Sequence, residues 1–91
     1  MYVYRVKYEW DQAKREWTLQ ERGLGFADVA QIDWDAALTM SDVRQPYPEE
    51  RFITYAMIGG RLCVAVWCYR GAATRVISLR KASRREAKRY G

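Results

Sequence analysis

The segment RVISLRKASRREAKRYG, residues 75–91, holds seven of the chain's sixteen lysines and arginines and a single acid, Glu86. The chain's formal charge is +5; seven cations less one acid make this segment +6, so residues 1–74 sum to −1. Ser83 and Glu86 form the pattern of a capping box, which opens a short helix to about Tyr90. At about 100° per residue, Arg84, Arg85, Lys88 and Arg89 share one arc of that helix. Ala87 and Tyr90 are left to dock it. With Arg80 and Lys81 just before them, these cations suit a polyanion such as RNA. A charge run equally fits a solvated face or an acidic protein partner, and the residues alone leave both readings open. At a phosphodiester, Arg80, Arg70 and Lys81 would hold the phosphate and offset the charge that builds on it. Glu50 is the candidate general base, with a surface ion pair to Arg51 or Arg44 as its plainer role. The chain has no histidine. That excludes a Ser-His-Asp triad, histidine general-base catalysis and the common zinc sites. No glycine-rich phosphate loop occurs, since Gly59-Gly60 is a turn signal. No cofactor or metal is expected, so any cleavage would be metal-independent.

These groups need a sheet to position them. YVYRVKY alternates as a strand, with Tyr2, Tyr4, Val6 and Tyr8 on one face. DQAKREWTLQERG predicts a helix with Asp11 as its N-cap and Gly23 at its C-terminal end. A second short helix is expected over 26–33, with Phe26, Val29, Ala30 and Asp33 on one stripe. QPYPEE is a loop, because Pro46 and Pro48 cannot donate within a sheet. RFITYAMI, RLCVAVWCYR and RVISLR then predict strands joined by GG and GAAT hairpins. The expected fold class is α+β: an antiparallel meander with two N-terminal helices on one face and a short C-terminal helix.

Turn length sets register, and register decides which side chains share a face. With Ile58 opposite Arg61 and a four-residue loop placing Arg70 opposite Arg75, one face holds Ile53, Tyr55, Met57, Leu62, Val64, Val66, Cys68, Ile77 and Leu79. Arg51, Arg70 and Arg75 lie toward its ends. This reads as the core face. The other face mixes Phe52, Thr54, Arg61, Trp67, Tyr69, Ser78 and Arg80. Aromatic rings beside a guanidinium suit single-stranded RNA, whose bases stack while its phosphates meet charge. Arg61, Trp67 and Tyr69 are therefore candidate RNA contacts, together with Arg84, Arg85, Lys88 and Arg89. The alternative is that this face packs under a helix with Trp67 in the core. A one-residue slip would exchange the two sets.

Ninety-one residues predict a single domain over 1–91. No apolar run is long enough for a membrane span, and MYVYRVKYEWD lacks a signal-peptide core, so a cytoplasmic protein is expected. Cys63 and Cys68, an odd number of residues apart on one strand, point to opposite faces and should not bridge. Two free thiols fit a reducing compartment.

YEWD at 8–11, Lys14, Gly23, Phe26, Ala30, Asp42, EERF at 49–52, GRL at 60–62 and RVISLRKASRREAKRY at 75–90 resemble the BrnT toxin family of bacterial type II toxin–antitoxin systems. The final segment, of the form R-x-I-S-x-R-K-A-[ST]-x-x-E-x-x-x-Y, is the specific part. The resemblance implies an α+β fold similar to RelE-type ribonuclease toxins. It implies an endoribonuclease that halts translation, with arginine and lysine on the phosphate and the RNA 2′-hydroxyl as attacking group. RNA would be met free or on the ribosome. It also implies a cognate antitoxin with a ribbon-helix-helix DNA-binding domain, assembled with the toxin as a heterotetramer. The chain departs from the family pattern where Glu21 and Arg22 replace Lys-His, where RQPYPEE lacks a histidine, and where Trp17 replaces an asparagine. These departures favour the alternative, a BrnT-like protein that binds an antitoxin or nucleic acid without cleaving.

Overall fold

The computed structural model describes residues 7–91. Most of the first expected strand, including Tyr2, Tyr4 and Val6, lies outside the described residues. Within them the order is β1 (Lys7–Trp10), α1 (Gln12–Arg22), a 3-10 segment (Phe26–Gln31), β2 (Leu38–Ser41), β3 (Arg51–Ile58), β4 (Arg61–Arg70), β5 (Ala73–Lys81) and α2 (Arg84–Tyr90).

The five strands form one sheet in the order β1-β5-β4-β3-β2. The β2–β5 part is antiparallel, but β1 pairs with β5 in parallel. The expected antiparallel meander with two N-terminal helices is therefore wrong on two counts. The sheet is mixed, because β1 fills the free edge of β5. No turn motif announces that pairing, which joins residues as far apart as Glu9 and Arg75. The second helix is a six-residue 3-10 segment. Phe26, Val29 and Ile32 follow one another at a spacing of three, which eclipses in a 3-10 turn. All three are buried, whereas Ala30 and Asp33, expected on the same stripe, are exposed.

Helix α1 starts where Asp11 Oδ1 accepts the Lys14 N–H at 2.9 Å. It buries only Thr18, so its own packing is slight. Polar hooks hold it instead: Lys14 Nζ donates to the Ile77 carbonyl at 2.6 Å and Arg22 to the Leu79 carbonyl at 2.9 Å. Pairing of β1 with β5 stops at Val76. The two side chains thus cover β5 carbonyls beyond the reach of β1, and the edge is closed.

Gly59 and Gly60, with φ of 58° and 78°, make the tight two-residue turn that both positive angles favour, and Ile58 lies opposite Arg61 as expected. The β4–β5 turn is shorter than expected. Arg70 lies opposite Ala73, so Gly71 and Ala72 alone make the bend. A register shift then falls between Val66 and Trp67: Trp67 faces Val76, while Val66 faces Ser78. The extra residue is Ile77, a β-bulge. It puts Leu79 on the side of Trp67 and sends Ser78 and Arg80 to the other side.

The N-terminal segment covers the face opposite to the one expected, although Val64, Val66 and Cys68 of the expected core face are buried as well. Leu24, Phe26, Val29 and Ile32 pack onto Ala56, Ile58, Cys63, Ala65, Trp67, Val76 and Leu79. The mixed face is the core. Trp67 stacks on Phe52 at 4.7 Å and meets Trp34 edge-on at 5.7 Å. Its indole N–H donates to Thr54 Oγ1 at 2.8 Å, and Thr54 shares a 2.8 Å hydrogen bond with Thr39. Large rings bury the most apolar area, and a buried indole needs an acceptor. The aromatic and hydroxyl pattern meets those needs within the core. Cys63 and Cys68 are both free and buried.

Candidate nucleic-acid interface

The other face of the sheet is buried at its centre, at Val64, Val66 and Cys68, and carries its arginines toward the ends of the strands. Glu9, Arg75, Cys68 and Arg51 are successive register partners across β1, β5, β4 and β3. Arg70 ends β4, and Lys14 reaches in from the first turn of α1. Lys14, Arg51, Cys68, Arg70 and Arg75, together with Asp11, Glu49, Val76 and Ile77, line a cleft of about 170 Å³, and Glu9 stands beside it. Four cations thus converge from four elements. Arg75 lies 3.4 Å and Arg70 3.6 Å from the same Glu9 oxygen, and Arg51 Nε lies 3.0 Å from Glu49. The Arg51 guanidinium also lies over the Tyr47 ring, 4.2 Å from its centroid. Each guanidinium carries five donors, and these contacts use few of them. An oxyanion entering the cleft would find several left.

Arg80 lies on the same face, in the row Tyr55–Val64–Arg80. At about 3.3 Å per residue, the four residues from Arg51 to Tyr55 put this row roughly 13 Å along the strands. Its guanidinium donates to both Glu86 oxygens through its two terminal nitrogens, at 2.6 and 2.9 Å. Glu86 also accepts the Ser83 N–H at 2.9 Å, completing the expected capping box. The Arg80 hydrogen bonds, followed by the Ser83 one, hold the Glu86 carboxyl down at about 2. Glu86 in turn pushes the Arg80 guanidinium up. Beside them the Tyr90 ring stacks on Tyr55 at 4.1 Å. Burial, then the Glu86 charge, raises the Tyr55 phenol. In the loop after β2, Arg44 makes two 2.7 Å bonds to Asp42 and is the main cause of that carboxyl falling to about 2.

The residues singled out from sequence fall in several places. Arg70 lines the cleft. Arg80 is on the same face but engaged by Glu86. Lys81, its neighbour in the strand, points to the opposite side, where with Arg61 it lines a second depression near Asp28 and Gly59. Glu50 is exposed and lies along the loop of residues 41–51. Arg84, Arg85, Lys88 and Arg89 are exposed on α2. Tyr69 is exposed, while Trp67 is buried with its rings against Phe52 and Trp34. Lys14, Glu9 and Glu49 were not singled out for chemistry. Arg51, Arg70 and Arg75 were placed on one face by register, and of the three only Arg70 was given a role at the phosphate.

Among the described residues, no helix is long and apolar enough to cross a membrane. A comparison with curated proteins finds no match. The family model for the ribonuclease toxin BrnT of type II toxin–antitoxin systems matches residues 10–86. That span takes in the YEWD tryptophan, every cation of the cleft and the Arg80–Glu86 pair, and the chain belongs to the BrnT family of type II ribonuclease toxins, whose partner is an antitoxin.

Proposed function

We propose that the chain is an endoribonuclease that engages the scissile phosphate of RNA in the cleft of Lys14, Arg51, Arg70 and Arg75. The observation that carries this is their convergence on one open end of the sheet. In the reaction the RNA 2′-hydroxyl attacks the adjacent phosphorus. The bond to the 5′-oxygen breaks, leaving a cyclic phosphate and a 5′-hydroxyl. Arginine and lysine N–H groups offset the charge on the phosphoryl oxygens. Glu49 lines the cleft and is better placed than its neighbour Glu50 to take the 2′-hydroxyl proton. Arg80 would meet a second phosphate along the same strand once Glu86 lets it go, with the α2 arginines and Lys88 beyond it. The reading extends to arrest of translation in the cytoplasm, and to neutralisation by a ribbon-helix-helix antitoxin within a heterotetramer.

The second reading is a protein that binds RNA or antitoxin without cutting. It is favoured by the absence of histidine and by the occupied Arg80. Both are tested by incubating the purified chain with RNA, with and without ribosomes. Arg75→Ala is expected to reduce cleavage about 10²–10³-fold, the usual cost of one donor to a developing oxyanion. Wild-type protein that binds RNA but yields no cyclic phosphate ends would establish the second reading. Cleavage unaffected by Arg51→Ala, Arg70→Ala and Arg75→Ala would place the chemistry elsewhere.

A further inference from the structure

The two edges of the sheet differ. The β1 edge carries Lys7 and Glu9 among its four residues, charges of the kind that keep an edge from pairing with another chain. The β2 edge, LTMS, has no charge and no proline, and all four residues are exposed. Half of its backbone faces β3. The Asp42 N–H donates to the Arg51 carbonyl at 2.8 Å, and antiparallel residues alternate in the side to which they turn both backbone groups. Leu38 and Met40 therefore bond toward β3, while Thr39 and Ser41 turn N–H and C=O outward.

The side chains above this edge are apolar. Leu38, Met40 and Met57 are 45, 37 and 55% exposed. Leu38 is the register partner of Tyr55, on which Tyr90 of α2 stacks. Helix α2 thus runs from Arg80 on β5 toward Tyr55 on β3, the neighbour of β2, and its last turn carries the exposed Lys88 and Arg89 on the side of an edge that is unpaired among the described residues. An apolar strip with cations beside it fits a strand that alternates apolar and acidic side chains. A second copy of this chain fits poorly, since each copy brings a net +5 and the same two cations.

We infer that β2 is the docking edge for an extended acidic segment of the antitoxin, which adds to the sheet as a further strand. Backbone bonds to Thr39 and Ser41 set its register, as in other cases of strand addition. Its apolar side chains cover Leu38 and Met40, and its acids face Lys88 and Arg89. The inference rests on the antitoxin part of the proposed function and is independent of RNA cleavage.

The test uses the full chain and a synthetic peptide alternating valine and glutamate, with a valine–lysine peptide as control. Amide hydrogen exchange is read residue by residue. The acidic peptide is expected to slow exchange at Thr39 and Ser41 at least tenfold, and the basic peptide to leave it unchanged. Ser41→Pro removes one outward N–H at an edge position that tolerates proline, and should abolish the slowing. Leu38→Lys supplies a guarding charge and should do the same should the proline variant not fold. No slowing at millimolar acidic peptide, or equal slowing by both peptides, would overturn the inference. So would protection without peptide that grows with protein concentration, which would make the occupant a second copy. The assay contains neither RNA nor antitoxin. A chain inert toward RNA can therefore still pass it, and an active ribonuclease can still fail it.

Discussion

Replacing Glu86 by glutamine should weaken the fold and strengthen RNA binding at the same time. In the native chain the Glu86 carboxyl titrates at about 2 against an ordinary 4.5. Two and a half units at about 1.36 kcal/mol each would give about 3.4 kcal/mol. The Arg80 side chain is 39% exposed, so water screens the pair, and about 1–2 kcal/mol is a fair expectation. Because the folded-state value is depressed, this stabilisation is fully present above about pH 4.5. It is lost as the pH falls toward 2. Glu86→Gln should therefore lower the melting temperature at neutral pH by about 4–16 °C for a domain of this size. It should also flatten the pH dependence between 4.5 and 2. Asp42 titrates in an overlapping window, so the comparison is best made in an Asp42→Asn background. Glutamine cannot hold the Arg80 guanidinium as a carboxylate does, and RNA affinity at neutral pH should rise. Melting curves across pH 2–6 and RNA titrations at fixed salt read both effects. Equal pH slopes in the two proteins, or weaker RNA binding by the variant, would refute the view that Glu86 occupies an anion site.

Three further outcomes are expected. Thr54→Val removes the acceptor of the Trp67 indole N–H and the partner of Thr39, and should cost about 1–3 kcal/mol in chemical denaturation. RNA affinity should fall with salt at a log–log slope near −0.7 per phosphate contact, and Lys14→Ala with Arg70→Ala should make that slope shallower. Arg80→Lys should leave thermal stability less than 2 kcal/mol below wild type, yet fail to recover the two-pronged grip on Glu86, which helix protection of α2 would report.

The elements that were legible from sequence are those fixed by local chemistry. Asp11, Gly23, the Ser83–Glu86 box and Gly59-Gly60 each do their expected local work. What the sequence hid is set at a distance. The β4 strand VAVWC is apolar on both faces, so alternation could not tell which side the N-terminal segment would cover. One bulged residue, Ile77, then moved Arg80 across the sheet. The same ambiguity shaped the site. Arg51, Arg70 and Arg75 were grouped correctly but assigned to the face expected to be the core, while Lys14 and Glu9 reach them only through the parallel β1–β5 pairing, for which no short motif exists.

That pairing also gives the molecule an order in time. The cleft takes Lys14, and the Glu9 that pairs with its arginines, from the beginning of the chain and Arg70 and Arg75 from its last quarter. During synthesis β1 has no strand to join until β5 has left the ribosome, and contacts so distant in sequence close late. A growing chain therefore displays its hairpins before it can bring the four cations together. A cleft built this way cannot form while its own polypeptide is still being made, and its first moment of completeness falls after the last strand has emerged.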